Sequence, residues 1–258
     1  DFSLIISSYE MEILTEIFKV DKSLLLYLPF LLETLDEKSN PSFSQREHFV
    51  TIGNFIHPPN WDAVQYLKKI IWPLIRKQLP KAQMHVYGAY GSEKVDQLNN
   101  EAEGFLIKGR AESVDEVMLS ARVCLAPLRF GAGLKGKLVD AMQNGTPNVT
   151  TSIGAEGMQQ EMEWSGFICD DPQEFANSSI KLYQTEAIWN RASKQGFELL
   201  KHFSKEKYQS IFFEKIKSVE SNLEEHRTQN FVGSLLKHHS MQSTKFMSKW
   251  IEEKNKKD

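Results

Sequence analysis

The sequence predicts an α/β fold built on a doubly wound parallel sheet, followed by a long helical extension at the carboxy end. Three observations carry that prediction. From His48 onward, short apolar runs alternate with segments of helical periodicity. Beyond Ala187 no strand-like run follows. A glycine-rich basic loop, Arg129–Lys137, comes directly after an apolar run, where open α/β sheets place their ligands.

In chain order, FSLIIS (Phe2–Ser7) reads as a strand, and YEMEILTEIFKV places Met11, Leu14 and Phe18 at helical spacing, so one βα unit opens the chain. After LLLYLPF, the polar stretch Glu33–Glu47 contains Asn40-Pro41 and has no sustained period, as a linker does. From His48 the reading is strand HFVTIG, helix WDAVQYLKKIIWPLIRKQL, strand QMHVYG, helix SEKVDQLNN, strand FLIKG, helix SVDEVMLSA and strand RVCLAP. Helix KGKLVDAMQ, strands NVTT and GFICD and helix PQEFANSSIKLYQ complete the pattern. Pro73 should kink or split the first long helix, because it lacks an N–H and its ring crowds the preceding turn. Two or three long helices follow Ala187. Trp189, Phe197, Leu200 and Phe203 give one apolar stripe; Phe231, Leu235, Met247, Trp250 and Ile251 give another. The expected divisions are residues 1–32, a linker 33–47, a sheet domain 48–186 and helices 187–258.

With 258 residues the chain can bury a large core and still hold part of a second domain. Its 41% hydrophobic and 25% charged residues are ordinary values for a soluble protein. A net charge of -3 lacks the basic footprint of a generic nucleic-acid binder, so no nucleic acid is expected as partner. No run approaches the roughly 18 apolar residues of a membrane span. The chain opens on Asp1 with no secretory signal, and reads as a piece of a longer protein. Cys124 and Cys169 fall in apolar runs and read as buried side chains, not a disulfide or a metal pair. The histidines show no H-E-x-x-H spacing, and His238-His239 point apart on a helix, so neither metal nor cofactor is expected.

The informative stretch is Pro127–Gly157, PLRFGAGLKGKLVDAMQNGTPNVTTSIGAEG. Gly131, Gly133 and Gly136 let the main chain turn and let a ligand approach it. A helix opens near Lys135, and its free N–H groups and dipole favour an anion by roughly 0.3–2 kcal/mol. Arg129, Lys135 and Lys137 each add a cation able to make charge-assisted bonds of about 1.5–3 kcal/mol to phosphate. A solvated basic loop is the ordinary alternative; the position at a strand's carboxyl end favours a diphosphate. Gly131-Ala-Gly133-Leu-Lys-Gly136 also matches G-x-G-x-x-G. It lacks the dinucleotide context, since Leu128-Arg129-Phe130 intervene after the strand and the next strand ends in Thr150-Thr151, not an acidic residue. Gly53-Asn54, Gly88, Gly109-Arg110, the 127–137 loop and Ser152–Gly157 should converge on one rim of the sheet.

TIGNFIHPPNWDAVQYL (Thr51–Leu67), MHVYG, GRAESVDEV (Gly109–Val117), APLRFGAGLKGKLVDAMQNGTPNVTTSIGAEGM and FVGSLLKHHSMQSTKFMSKWIEEKN together resemble the two-Rossmann-domain glycosyltransferases of group 1, family 4, with the GT-B fold. The match is to their carboxy-terminal, donor-binding domain. DFSLIISSYEMEILTEIF resembles the last βα unit of their amino-terminal, acceptor-binding domain, the rest of which is missing. The resemblance implies a Rossmann-like sheet and transfer of a sugar from a nucleotide-sugar donor, retaining and metal-independent. The acceptor, whether a saccharide, a lipid-linked group or a protein, stays open, and so does the catalytic residue, which lies partly in the missing domain. It implies diphosphate binding by Arg129, Gly131, Gly133, Lys135 and Lys137. Asp140 matches the second acid of the family's E-x7-E motif and would hold the donor ribose. Gly109 and Arg110 match the turn beside the base, and Gly53, Asn54, Gly154, Glu156 and Gly157 the rim, with Glu156 either on a sugar hydroxyl or capping a helix. The first acid of the motif falls on Ala132, a departure that favours one alternative, a non-catalytic nucleotide-sugar binding module; a nucleotide-sugar epimerase is the other, since that chemistry also occurs on the GT-B architecture. In this family the last helices cross back, which would pack residues 231–257 on Ser3–Leu32. The expected location is cytoplasmic, with any membrane attachment carried by the missing domain.

Overall fold

The computed structural model describes residues 2–33, 40–159, 162–230, 233 and 241–255. Residues 34–39 of the linker, Phe231 and Leu235 of the second stripe, and His238-His239 lie outside them.

Six parallel strands form the central sheet: β3 (Glu47–Ile52), β4 (Met84–Tyr87), β5 (Phe105–Gly109), β6 (Ala121–Ala126), β7 (Asn148–Thr150) and β8 (Gly166–Ile168). Their spatial order is β5-β4-β3-β6-β7-β8. The chain winds outward from β3 through β4 to β5, then returns to the middle at β6 and winds the other way. The topological switch point therefore lies between β3 and β6, which pair from Glu47 with Ala121 to Val50 with Cys124. These strands are continuous apolar runs because both faces are covered. On one face Phe49, Val86, Val123 and Leu125 pack with Leu67, Trp72 and Ile75 of the long helical segment and with Phe175 of α8 (Pro172–Gln184). On the other, Val50 and Cys124 meet Val117, Met118 and Ala141 of α5 (Val114–Ser120) and α6 (Gly136–Gln143).

The first long helix runs unsplit through Pro73. Helical turns α2 (Pro58–Tyr66) and α3 (Trp72–Gln78) are joined by a π-helical segment, Leu67–Ile71, in which the Trp72 N–H reaches back to Leu67 O. This wider turn precedes the proline and absorbs the lost hydrogen bond locally. SEKVDQLNN holds only a single turn, α4 (Glu93–Asp96).

Arg46, immediately before β3, is fully buried. Its Nε donates to Pro41 O at 2.9 Å, Nη1 to Met118 O at 3.0 Å and Thr146 Oγ1 at 2.7 Å, and Nη2 to Asn144 O at 2.7 Å. One guanidinium thereby ties the linker's end, α5 and the segment after α6 together. Cys124 and Cys169 are both free thiols.

At the amino end, β1 (Ser3–Ile5), α1 (Ser8–Glu12) and β2 (Leu25–Tyr27) form a βαβ unit with its own two-stranded parallel sheet. Beyond the main sheet come α9 (Glu186–Leu200), α10 (Lys205–Ser221), α11 (Leu223–Gln229) and α12 (Met241–Asn255). Trp189, Leu200 and Phe203 are buried. Among the described residues of the carboxy-terminal helices, Phe203–Lys215 meets the amino-terminal unit; most of residues 231–240, the start of the segment expected to cross back, lie outside the described residues. Leu32 N–H donates to Phe203 O at 2.8 Å, Tyr27 and Tyr208 pack edge to face with centroids 5.7 Å apart, and Lys215 Nζ donates to Ser23 O at 2.8 Å. The apolar residues of α12 pack differently from the sequence expectation: Phe246, Met247 and Trp250 are more than 60% exposed, at 63%, 61% and 61%.

Candidate functional site

All five segments expected at the rim follow carboxyl ends of parallel strands: Gly53-Asn54 after β3, Gly88 after β4, Gly109-Arg110 at the end of β5, the 127–137 loop after β6 and Ser152–Gly157 after β7. A cavity of about 310 Å³ opens at the switch point. Its walls are Ile52 at the end of β3 and Gly53 after it, His57, Pro59 and Asn60 from the start of α2, Val114 from α5, and Leu128, Phe130–Ala132 and Leu134–Lys137 from the loop and the start of α6, with Asp140 one turn into that helix.

Local chemistry explains that shape. Asn54 Oδ1 accepts the Ile56 N–H at 2.8 Å, turning the chain into α2, where Pro58 occupies a first-turn position that needs no N–H. Gly131 has φ +127, a conformation that favours glycine, and a Cβ there would lie a tight 3.1 Å from Pro59 Cγ. Helix α6 starts at Gly136 with no side-chain cap, so its leading N–H groups face the rim.

The three predicted cations have different surroundings. Lys137 Nζ donates to Asn60 Oδ1 at 2.8 Å, while Asn60 Nδ2 donates to Asn54 O at 3.1 Å, which fixes the amide. Burial pulls the Lys137 ammonium down to about 8, with the neighbouring Cys124 acting the other way. Lys135 is buried at 8% exposure, and its Nζ donates to Gly131 O at 3.1 Å and Gly133 O at 2.5 Å, bracing the loop from within. Its burial lowers its pKa, opposed by the carboxylates of Glu156 and Glu10. Arg129 is not a wall of the cavity. Its Nε donates to Asp62 Oδ2 at 2.9 Å, and its guanidinium lies 4.8 Å from the Tyr66 ring centre on α2.

Asp140 does line the cavity. Burial and then the Asp115 carboxylate push it up to about 6. Gly109 and the exposed Arg110 are not among the residues that line the cavity. Gly154 is buried, and its N–H donates to Thr151 Oγ1 at 3.2 Å. Thr151, not Glu156, is therefore the cap of this short turn; Glu156 ends it and faces the field of Lys135. Gly133 lies off the cavity, and its N–H donates to Glu10 Oε1 of the amino-terminal unit at 2.9 Å.

Sequence reasoning did not pick out Asn60 as the partner of Lys137, nor Glu10. The Asn60 position was visible as a polar residue at the start of α2, but its distance from Lys137 in the chain carries no pattern. Among the described residues no group of three or more His, Cys, Asp or Glu side chains could hold a metal ion, and no helix is long and apolar enough to cross a membrane.

A doubly wound parallel sheet with a glycine-rich basic loop at its switch point defines a Rossmann-like α/β domain. The chain belongs to the group 1 glycosyl transferases: that family's pattern matches residues 46–185, more than half of the chain. No curated protein matches it in sequence. Solved GT-B structures share its fold. TarM of S. aureus, in a complex with UDP, fondaparinux and alpha-GlcNAc-glycerol, aligns with a TM-score of 0.69 at 12% identity over 83% of this chain and 43% of its own. The pneumococcal O-GlcNAc transferase GtfA with UDP and GlcNAc aligns with a TM-score of 0.67 at 18% identity over 85% and 45%. HepE of Anabaena with UDP and glucose gives 0.64 at 14% over 84% and 63%. The chain thus spans less than half the length of TarM and GtfA.

Proposed function

We propose that this chain is the donor-binding part of a glycosyltransferase that moves a sugar from a nucleotide-sugar to an acceptor. The observation that carries the reading is the switch-point cavity, where Lys137, the amino end of α6 and Asp140 line one space beside the Gly131–Gly136 loop. Lys137 and the free amides of α6 suit a diphosphate, and Asp140 suits a ribose hydroxyl pair. The base lies toward Val114 and the Gly109-Arg110 turn. UDP in the named complexes of TarM, GtfA and HepE makes uridine the favoured nucleoside.

In this mechanism the leaving diphosphate gathers charge as the sugar departs, and a half-buried lysine with helix amides stabilises that charge without a metal. Arg129 can join only by leaving Asp62. Transfer would be retaining, with the acceptor supplied by the part of the protein that precedes β1; residues 2–32 belong to that acceptor-binding domain. The protein works in the cytoplasm. The second reading, a nucleotide-sugar binding module without turnover, is favoured by Ala132, which puts a methyl group on the loop where a carboxylate would grip the sugar.

Calorimetric titration with UDP, GDP, ADP, dTDP and NAD, with and without magnesium, tests the donor site. Selective, magnesium-independent binding of UDP is expected. Binding of NAD alone would sink the reading, and UDP-sugar binding by the full-length protein with no donor hydrolysis would favour the module.

A further inference from the structure

We infer that the acceptor carries an apolar chain, which lies along a row of exposed apolar side chains on the carboxyl rim of the sheet; this rests on the nucleotide-sugar reading above. Five large apolar side chains of the sheet domain are exposed among the described residues: Ile56, Ile70, Tyr90, Val114 and Phe130. Four of them stand at the rim, and the fifth, Ile70, lies on the π-helical turn. Single exposed apolar residues need no explanation, but a cluster beside a ligand cavity does.

The strand order makes these four neighbours. β5, β4, β3 and β6 lie side by side in that order, and Val114, Tyr90, Ile56 and Phe130 follow their carboxyl ends in the same order. Gly88 N–H donates to Gly109 O at 2.8 Å and Phe55 N–H to Ala89 O at 3.2 Å, which ties the first three loops together. A Cβ on Gly131 would meet Pro59 Cγ at 3.1 Å, so the Phe130 loop rests on the start of α2, directly after Ile56. Neighbouring strands lie about 4.8 Å apart, so the four loops spread over roughly 14 Å. Tyr90 and Ile56 are each 67% exposed. Tyr90 also holds a left-handed φ of +60, a costly state for a bulky residue, so what the position gains from its ring lies outside the turn.

The donor covers only part of this row. Its phosphates and sugar are polar, and its base, placed toward Val114, is a single flat ring. Tyr90 and Ile56 are not walls of the cavity, and Phe130, which is one, keeps an exposed ring. What covers them has to be present at the mouth during transfer, and that is the acceptor. A protein surface fixed over the mouth would shut the acceptor out. An alkyl or polyisoprenoid chain fits a row of this shape, buries apolar area along it and leaves its polar head toward the cavity. Ile6 of the amino-terminal unit, also exposed, stands 3.8 Å from where a Gly133 Cβ would be, so apolar surface flanks the loop on that side as well.

The test is titration of this chain, in saturating UDP, with glucose and with hexyl, octyl and decyl glucosides below their micelle concentrations. The variants are Ile56→Ser and Tyr90→Asn, with Ile70→Ser as a control of the same chemistry away from the rim; asparagine tolerates the left-handed φ. Affinity should rise about two- to fourfold per added methylene, the scale of burying one such group. I56S and Y90N should each weaken decyl glucoside about three- to tenfold and leave UDP unchanged within twofold, while I70S changes neither. Affinity flat with chain length overturns the inference, and so does an equal loss in I70S, which means unspecific adsorption. Weaker UDP binding in Y90N gives the ring to the base and also overturns it. Loss of binding to phosphatidylglycerol vesicles in I56S and Y90N, with glucoside affinity kept, makes the row a membrane contact and does the same. A chain that binds UDP but no glucoside overturns this inference alone; one that binds no UDP removes the nucleotide-sugar reading first, and this inference with it.

Discussion

The ammonium of Lys137 lies 2.8 Å from Asn60 Oδ1, joining the first turn of α6 to the first turn of α2 across the mouth of the switch-point cavity. A neutral amide holds this half-buried cation in place without cancelling its charge, so the charge stays available to an anion. Lys137→Ala should weaken UDP binding about 10- to 150-fold, the span of one charge-assisted bond, and leave uridine binding unchanged. Equal losses for UDP and uridine in calorimetry would remove the phosphate assignment.

The same burial makes binding pH-dependent. Lys137 titrates near 8 in the free protein, below its ordinary value, and a diphosphate would favour its charged form. UDP affinity should fall as pH rises through about 8, and binding at that pH should take up a proton. Calorimetric enthalpies at pH 8 in buffers of different ionisation heat read that proton directly. Zero uptake would place the diphosphate away from Lys137.

Asp140 gives the opposite case, an acid raised to about 6 from an ordinary value near 4. Between those values the folded state binds more protons than the unfolded one, so this group's contribution to stability declines as pH rises from about 4 to about 6 and is level above. Asp140→Asn removes that decline. The stability gap between variant and wild type should open over this interval in the variant's favour, as read by urea unfolding at a series of pH values. A gap constant from pH 4 to 7 would mean that Asp140 is not raised.

Arg46 is a structural cation with no access to ligand. Removing it takes the guanidinium donor from the carbonyls of Asn144 and Pro41 and from Thr146 Oγ1, while Met118 O keeps the Thr146 hydroxyl. Arg46→Ala should destabilise the fold by about 3–5 kcal/mol in urea unfolding, the scale of breaking a buried charged network. A loss under 1 kcal/mol would show that water replaces the guanidinium at little cost.

Gly131 ties loop shape to ligand binding. Gly131→Ala has to tolerate a left-handed φ and the approach of Pro59 Cγ at 3.1 Å. Expected is a loss of about 1–2 kcal/mol in stability together with weaker UDP binding. Unchanged UDP affinity in titration would uncouple the loop's conformation from the site.

Much of the fold was legible in the sequence because its signals are local. Alternating buried runs and helical periods located the strands and helices from His48 to Gln184, and FLIKG and PQEFANSSIKLYQ match β5 and α8 residue for residue. Pro73 was expected to kink or split the helix; the helical run continues through it, interrupted by the widened turn Leu67–Ile71, which depends on packing that the proline's own position does not encode. SEKVDQLNN has helical spacing, yet only Glu93–Asp96 winds, since Asn99 and Asn100 turn to serve the edge strand: Asn99 Oδ1 accepts the Ile107 N–H at 2.9 Å.

The sequence by itself determined the sheet class, the loop that ends at α6 and the chemical types around it, since glycine freedom, helix amides and lysine charge belong to neighbouring residues. Only the tertiary structure decided which charges remain free to meet a ligand. Arg129 is taken by Asp62, Lys135 is turned inward on Gly131 and Gly133, and Lys137 is held by Asn60, while Glu10 arrives from the other unit. Those partners lie far apart in sequence. A charge acts over a few ångströms, and the sequence does not encode that spacing until the chain has folded.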